Sequence, residues 1–352
     1  MMRILVTGGA GFIGSEFARQ TLQRHASDEL VVLDKLTYAG NLENLAAISG
    51  DPRFSFVRGD IGDAALVASA IEGCHAVVNF AAETHVDRSI LAPDGFVRTD
   101  VLGTWTLAEA ARAAGIQRFV HISTDEVYGA VPFGASTEED RLDPTSPYSA
   151  SKAGGELLVL AAYKTYGLPV LVVRGANAYG PYQYPEKLIP VHITNAIDDE
   201  PLPVYGDGQQ RRQWTHVSDF ASGVDMVLRA GSLGSVYNIG NPEPEEALPV
   251  NLDLSRRVLD LLGKPASLLQ FVVDRPAHDR RYRVDPARLL ALGWKPQWQF
   301  WDGLAATVEW YVSNEAWWRK IKRGEHHQAY YAQNYADRAS LVASSPPEAP
   351  AP

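Results

Sequence analysis

The sequence predicts an α/β protein, a doubly wound parallel sheet followed by a smaller mixed α/β region, and three observations carry the prediction. Short apolar runs without polar alternation recur through the N-terminal half: "RILVTG", "ELVVLD", "FSFVRGD", "HAVVNFAA", "RFVHIST" and "PVLVVRG". Strands covered by helices on both faces need such runs. Between them stand helix-length segments with apolar residues three and four apart, "GFIGSEFARQTLQR", "DAALVASAIEG", "VLGTWTLAEAARAAG" and "PYSASKAGGELLVLAAYKTYG". A glycine-rich turn, "VTGGAGFIG", joins the first run to the first helix.

Bulk properties fit a globular chain of 352 residues with 46% hydrophobic content. A formal charge of −10 argues against nucleic acid or anionic membrane as a partner. Cys74 is the single cysteine, and no apolar stretch approaches the ~20 residues that span a bilayer. With no signal-peptide layout at "MMRILVTGG", the expectation is a cytoplasmic protein.

The glycine turn places Gly8, Gly11 and Gly14 three apart, where a sharp turn and a helix N-terminus suit a pyrophosphate. The second strand ends at Asp34, twenty residues after Gly14, where a carboxylate accepts hydrogen bonds from an adenosine ribose and repels a 2′-phosphate. Together they predict a Rossmann-like NAD site over residues 1–180. "GDI" adds Asp60 and Ile61 as an adenine-edge contact, against the plainer reading of a solvated loop.

After residue 180 the rhythm loosens into "GPYQYPEKLIP" and shorter elements, read as a substrate domain over 181–325. A strand near 235–240, "SVYNIG", returns to the main sheet. The Pro/Ala/Ser-rich stretch 338–352 reads as a disordered tail.

"PYSASK" sets Tyr148 and Lys152 one helical turn apart. A lysine ammonium beside a phenol favours the phenolate, as a general base requires. "HISTDEVYGA" ends a strand on Thr124 followed by Asp125 and Glu126. A capping box from Ser123 to Glu126 is the structural alternative, but two glycines and a proline follow, leaving room for one helical turn at most. Neighbouring strand residues face opposite ways, so both carboxyls serve one site only at the strand's carboxyl tip, where open α/β sheets bind ligands. An adjacent acid and base there suit the elimination of water next to a transient ketone.

The glycine loop and "YSASK" resemble those of the extended short-chain dehydrogenase/reductase superfamily. From residue 2 to roughly 335 the chain is similar to the dTDP-glucose 4,6-dehydratases, in "STDEVYG", "DKLTYAGNLENL", "AAETHVDRSI", "SPYSASKAG", "GPYQYPEKLIP", "DRPAHDRRY", "LGWKP" and "TVEWYVSN". The resemblance implies that Tyr148 removes the O4 proton, Glu126 the C5 proton, and Asp125 protonates the leaving C6 hydroxyl. Thr124 would bond O4, and Lys152 would hold the nicotinamide ribose. Cofactor contacts would come from Gly8, Gly11, Phe12, Ile13, Gly14, Asp34, Lys35, Leu36, Thr37, Asp60, Ile61, Phe80, Ala81, Ala82, Glu83, Thr84, Thr99, Tyr148, Lys152 and Ala178. Substrate contacts would come from Thr84, Thr124, Asn177, Lys187, Leu188, Pro203, Val204, Tyr205, Arg212, Asn251, Asp274, Arg275, Pro276, Ala277 and His278. No metal is implied.

Three positions and one loop depart from that family's pattern. Ala178 stands for an asparagine expected near the nicotinamide. Gln213 stands for aspartate, Ala277 for glycine, and "NPEPEEALPVN" for a shorter loop; these three are expected on the substrate side. A homodimer is implied, its helices around 104–114 and 149–166 packing four together. Rival readings are a nucleotide-sugar epimerase or decarboxylase, a dehydratase of UDP- or CDP-hexose, and an idle NAD-binding scaffold. The acidic pair argues against the epimerase, since epimerases of the superfamily usually carry small hydroxyl or apolar residues there.

Overall fold

The computed structural model describes residues 1–275 and 278–336. Pro276, Ala277 and the predicted tail lie outside them. Seven strands form one parallel sheet: β1 (Arg3–Thr7), β2 (Glu29–Asp34), β3 (Phe54–Arg58), β4 (Ala76–Asn79), β5 (Arg118–Thr124), β6 (Val170–Gly175) and, far later in the chain, β11 (Val236–Ile239). Their spatial order is β3-β2-β1-β4-β5-β6-β11. The order reverses beside β1, and that switch point opens a crevice at the carboxyl ends of β1 and β4.

The apolar runs work as the sequence predicts, because alternate residues enter different cores. Ile4, Val6, Val32, Val78, Val120 and Val173 pack on one face with Phe17 and Leu22. Leu5, Val31, Val77, Phe119 and Val172 pack on the other with Leu107, Ala111 and Val159. Each fully buried aliphatic of this kind contributes about 1.5–3 kcal/mol relative to exposure.

The returning segment is larger than the sequence reading allowed. Besides β11, the helix Val217–Ala230 comes back to lie beside the helix Phe12–Arg24. Phe220, Val224 and Val227, with Leu289 and Trp294, complete the first core. A single helix after β1 covers too little of that face, and "VSDFASGVDMVLRA" carries a matching apolar stripe.

A third core gathers the helices Leu188–Ile197, Asn251–Leu262, Phe300–Ser313 and Glu315–Lys322 around Tyr179, Trp214 and Trp318. Short parallel pairs edge it: β7 (Asn177–Tyr179) with β10 (Trp214–His216), β8 (Leu202–Tyr205) with β12 (Leu269–Val272), and β9 (Arg211–Arg212) with β13 (Arg281–Tyr282). No helix among the described residues is long and apolar enough to cross a membrane.

Candidate active site

A cleft of about 420 Å³ runs between the carboxyl tips of the main sheet and the third core. Its floor begins at the glycine turn. Gly8 adopts φ +67, and a Cβ there would sit 2.5 Å from the backbone nitrogen of Ala81, so only glycine fits. A Cβ on Gly14 would meet the Gly8 carbonyl at 2.4 Å, which lets the helix start hard against the strand. Gly11 is different, since its nearest neighbour would be the Gly8 oxygen at 3.2 Å, and its missing side chain leaves room in the cleft.

Asp34 closes β2 as the sequence predicts. Its carboxylate accepts from the amides of Ala10 (2.9 Å) and Leu36 (2.8 Å) while lining the cleft, with lone pairs left for ribose hydroxyls. Lys35 pairs with Asp60 at 2.7 Å alongside. Leu36 does not line the cleft. It turns at φ +57 and packs against the first core, so its amide, not its side chain, serves the site. Phe12, Ile13, Thr37, Ile61, Phe80, Ala81, Ala82, Glu83, Thr84 and Thr99 all reach the cleft wall.

At the tip of β5 the chain bends into a single 3-10 turn, Asp125–Tyr128, closed by Gly129 at φ +74. Its cap is Thr124, whose Oγ1 accepts from the Glu126 amide (3.3 Å), and not Ser123, whose buried hydroxyl has no partner among the described residues. The bend brings Thr124, Asp125 and Glu126 into one cleft with Tyr148 and Lys152.

The two carboxyls sit in unlike fields. Burial, then the charge of Glu126, pushes Asp125 up to about 8, opposed by Arg212 and by the hydrogen bond from Thr124 (3.2 Å). Burial also raises Glu126, but Arg275, Arg212 and Lys187 all pull it back down. At neutral pH Asp125 therefore holds a proton, while three cations favour ionised Glu126.

The expected pull of Lys152 on Tyr148 is not what governs the phenol. Burial raises Tyr148 well above the usual tyrosine range, Glu126 and Asp100 add to it, and a hydrogen bond with Thr124 works the other way. Lys152 is instead drawn inward, donating to the Ile122 carbonyl at 2.6 Å and answering the charge of Asp100. Asp100 is itself fixed by the Ser151 hydroxyl (2.6 Å) and the Glu83 amide (2.9 Å).

Asn177, Ala178, Lys187, Leu188, Pro203, Val204, Tyr205, Arg212, Asn251, Arg275 and His278 line the other half of the cleft. Arg212 lies over the Tyr282 ring at 4.5 Å, its guanidinium held by the carbonyls of Arg211 and Asp279. Asp274 does not reach the wall. It braces Gln210 (3.0 Å), His278 and the Arg275 amide from behind.

Several cleft residues escaped the sequence reading. Asp87 lies 3.4 Å from the Tyr205 hydroxyl and 3.9 Å from Arg275, and Glu186 binds Arg88 at 2.7 Å. Tyr282, His85 and Gln183 join them. "THVDRS" and "DRRY" were visible as motifs, but nothing in them says which side chain turns inward.

The departures resolve differently. Ala178 lines the cleft, its carbonyl accepting from Gln183 Nε2 at 2.9 Å. Gln213, expected on the substrate side, is buried behind it, donating to the carbonyls of Asn241 and Val284 and accepting from the Val284 amide (2.9 Å). The loop before Asn251 also faces away: Glu243 holds the Phe300 amide and Glu245 pairs with Arg281.

Among the described residues, Asp125 Oδ2, Asn177 Oδ1, Asn251 Oδ1, Gln183 Oε1 and Arg275 Nε are buried without a hydrogen-bond partner, and all belong to cleft residues. Leaving such atoms unpaired costs roughly 1–3 kcal/mol each. A cleft with this many open polar atoms and a glycine cradle fits a dinucleotide at one end and a polar, anionic ligand at the other.

The family model described as GDP-mannose 4,6 dehydratase matches residues 5–307. A dTDP-glucose 4,6-dehydratase of Streptomyces niveus is 51% identical, covering 91% of this chain and 96% of its own. Another, from Actinoplanes sp., is 49% identical over 90% of this chain and all of its own. The chain belongs to the dTDP-glucose 4,6-dehydratase family. Among solved structures, DesIV of Streptomyces venezuelae, a dTDP-glucose 4,6-dehydratase with NAD and TYD bound, superposes with a TM-score of 0.88 at 50% identity, covering 91% of this chain and 100% of DesIV. That solved dehydratase thus shares its overall fold with this chain.

Proposed function

We propose that the chain is an NAD-dependent hydro-lyase converting dTDP-glucose to dTDP-4-keto-6-deoxyglucose and water. The observation that carries this is the pair at the β5 tip, a proton-bearing Asp125 beside a cation-flanked Glu126, in one cleft with Tyr148. The glycine turn and Asp34 would hold NAD, which when bound would supply a two-electron sink for the C4 hydride and its return at C6.

The residues divide the proton traffic. Tyr148 takes the proton from O4 as its phenolate, the form that burial, Glu126 and Asp100 disfavour and that the positive nicotinamide ring of NAD would favour, and Thr124 orients that oxygen. With C4 a ketone, the C5 hydrogen is acidic and Glu126 removes it. Asp125 protonates the C6 hydroxyl, which leaves as water, and Glu126, its proton exchanged with solvent, then reprotonates C5. The O4 proton, released through Tyr148, balances the one Asp125 spends. Lys152 holds the ribose and fixes the Tyr148 helix. Arg212 and Arg275 receive the diphosphate because planar guanidinium forks match its oxygens, Lys187 adds a point charge beside them, and Tyr205 stacks on the base.

In this reading residues 1–180 with the returning segment carry the cofactor, and 181–325 carry the nucleotide sugar. Val97, Leu102, Leu157 and Tyr166 are at least half exposed on neighbouring helical segments and support a homodimer built there, which sedimentation would test. Cytoplasmic placement belongs to the same proposal. The deciding experiment feeds the purified chain dTDP-, UDP-, CDP- and GDP-glucose. A 4-keto sugar from dTDP-glucose without net NAD consumption is expected, and turnover of another nucleotide hexose in its place overturns the assignment.

A further inference from the structure

We infer that the C-terminal segment 325–334 is a working part of the nucleotide pocket, with Asn334 and Tyr330 as positioning residues for its inner wall. The inference rests on the nucleotide-sugar reading above. The segment follows the last helix of the third core and folds back behind Tyr205 and His85, two residues of the cleft lining.

Asn334, 1% exposed, donates its amide to the Tyr205 hydroxyl at 3.0 Å. That hydroxyl in turn donates to Asp87 Oδ2 at 3.4 Å. The same carboxylate oxygen lies 3.9 Å from Arg275 and 3.7 Å from His85 Nδ1. Tyr330 reaches His85 Nδ1 from the other side at 2.9 Å. A chain of polar contacts thus leads from two C-terminal side chains to Tyr205 and Arg275, the residues facing base and diphosphate.

A phenol that accepts one hydrogen bond and donates another is fixed in ring plane as well as position. Stacking a base on it then costs less ordering entropy. Tyr330 does a second thing: its ring and that of Tyr38 sandwich the Arg88 guanidinium at 3.9 and 3.7 Å, and Arg88 holds Glu186 beside Lys187. The segment is anchored for this work, since His327 binds the Pro185 carbonyl (2.9 Å) and Asn195 donates to the Tyr331 hydroxyl (2.7 Å). Neither Tyr330 nor Asn334 lines the cleft, so both act through Tyr205, His85 and Arg88.

The test uses the full chain with NAD, comparing Asn334→Leu, Tyr330→Phe and wild type by calorimetric titration with dTDP. Each variant should weaken dTDP by ~3- to 10-fold, the weight of one hydrogen bond. KM for dTDP-glucose should rise by a like factor while kcat and NAD affinity hold and the melting temperature falls by only a few degrees. Asn334→Gln, which keeps a donating amide, should recover part of the loss. Variants that bind dTDP as wild type does overturn the inference, as does a joint fall of kcat, NAD affinity and stability. Failure of the functional reading is separately visible: if wild type turns over UDP-glucose and not dTDP-glucose, UDP becomes the titrant and the same ratios judge the segment.

Discussion

The guanidinium of Arg275 bears on Glu126 as the largest charge opposing that carboxyl's protonation, although the two stand 149 residues apart along the chain. Asp125, one residue from Glu126, has Arg212 as the chief cation facing it and the glutamate's own charge against it. Two carboxyls of similar intrinsic acidity are thereby divided into a proton donor and a proton acceptor.

kcat/KM against pH should be bell-shaped. Asp125 must carry its proton, so kcat/KM falls as pH rises through about 8. Glu126 must be ionised, so kcat/KM falls on acidification through a value above the ordinary glutamate range. Arg275→Met removes the main charge holding Glu126 down, and the acid limb should move to higher pH while the alkaline limb stays. A pH profile of kcat/KM, taken at dTDP-glucose well below KM, checks both shifts.

Asp125→Asn should lower kcat by roughly 10²–10⁴ with dTDP binding retained. It should also stabilise the fold. The folded-state pKa of Asp125 is raised, so its contribution is fully present below the unfolded value near 3.8 and is lost as pH rises toward about 8. Urea titrations at pH 4 and pH 8 should therefore show no gain for the variant at the first and a clear gain at the second.

Glu126→Gln should stop proton exchange at C5. In deuterated water the wild-type product acquires deuterium at C5, read by NMR, and the variant should form product roughly 10²–10⁴ times more slowly. Unchanged turnover would remove Glu126 from the mechanism.

Gly8→Ala combines a left-handed φ with a 2.5 Å clash against the Ala81 amide. A stability loss of about 1–3 kcal/mol and loss of NAD binding are expected, measured by melting and by cofactor titration.

Gln213→Asp introduces the residue that the family resemblance implies at this position, yet the structure argues against a gain. An aspartate cannot donate to the Asn241 and Val284 carbonyls, so stability should fall by about 1–3 kcal/mol while dTDP affinity is unchanged.

The parallel sheet was legible because every strand buried on two faces writes a continuous apolar run, and the site's floor because a glycine at Gly8 or Gly14 has no sterically allowed replacement. Asp125 and Glu126 were legible through the glycines and proline after them, which rule out a long helix. Asp87, Tyr282, Asn334 and the inward turn of Lys152 were not. Their placement depends on contacts between segments far apart in sequence, and neither periodicity nor turn chemistry encodes those. Gln213 misled for the same reason: its neighbours Arg212 and Trp214 face the cleft, and the backbone there alternates.

The strand β11 completes the main sheet on β6 after more than fifty residues spent elsewhere, and the helix Val217–Ala230 arrives with it. A fragment cut at residue 180 would leave the β6 ladder bare and Phe17 without its covering helix. Exchanging substrate halves between relatives therefore takes multiple junctions, placed so that 217–239 travels with the N-terminal half.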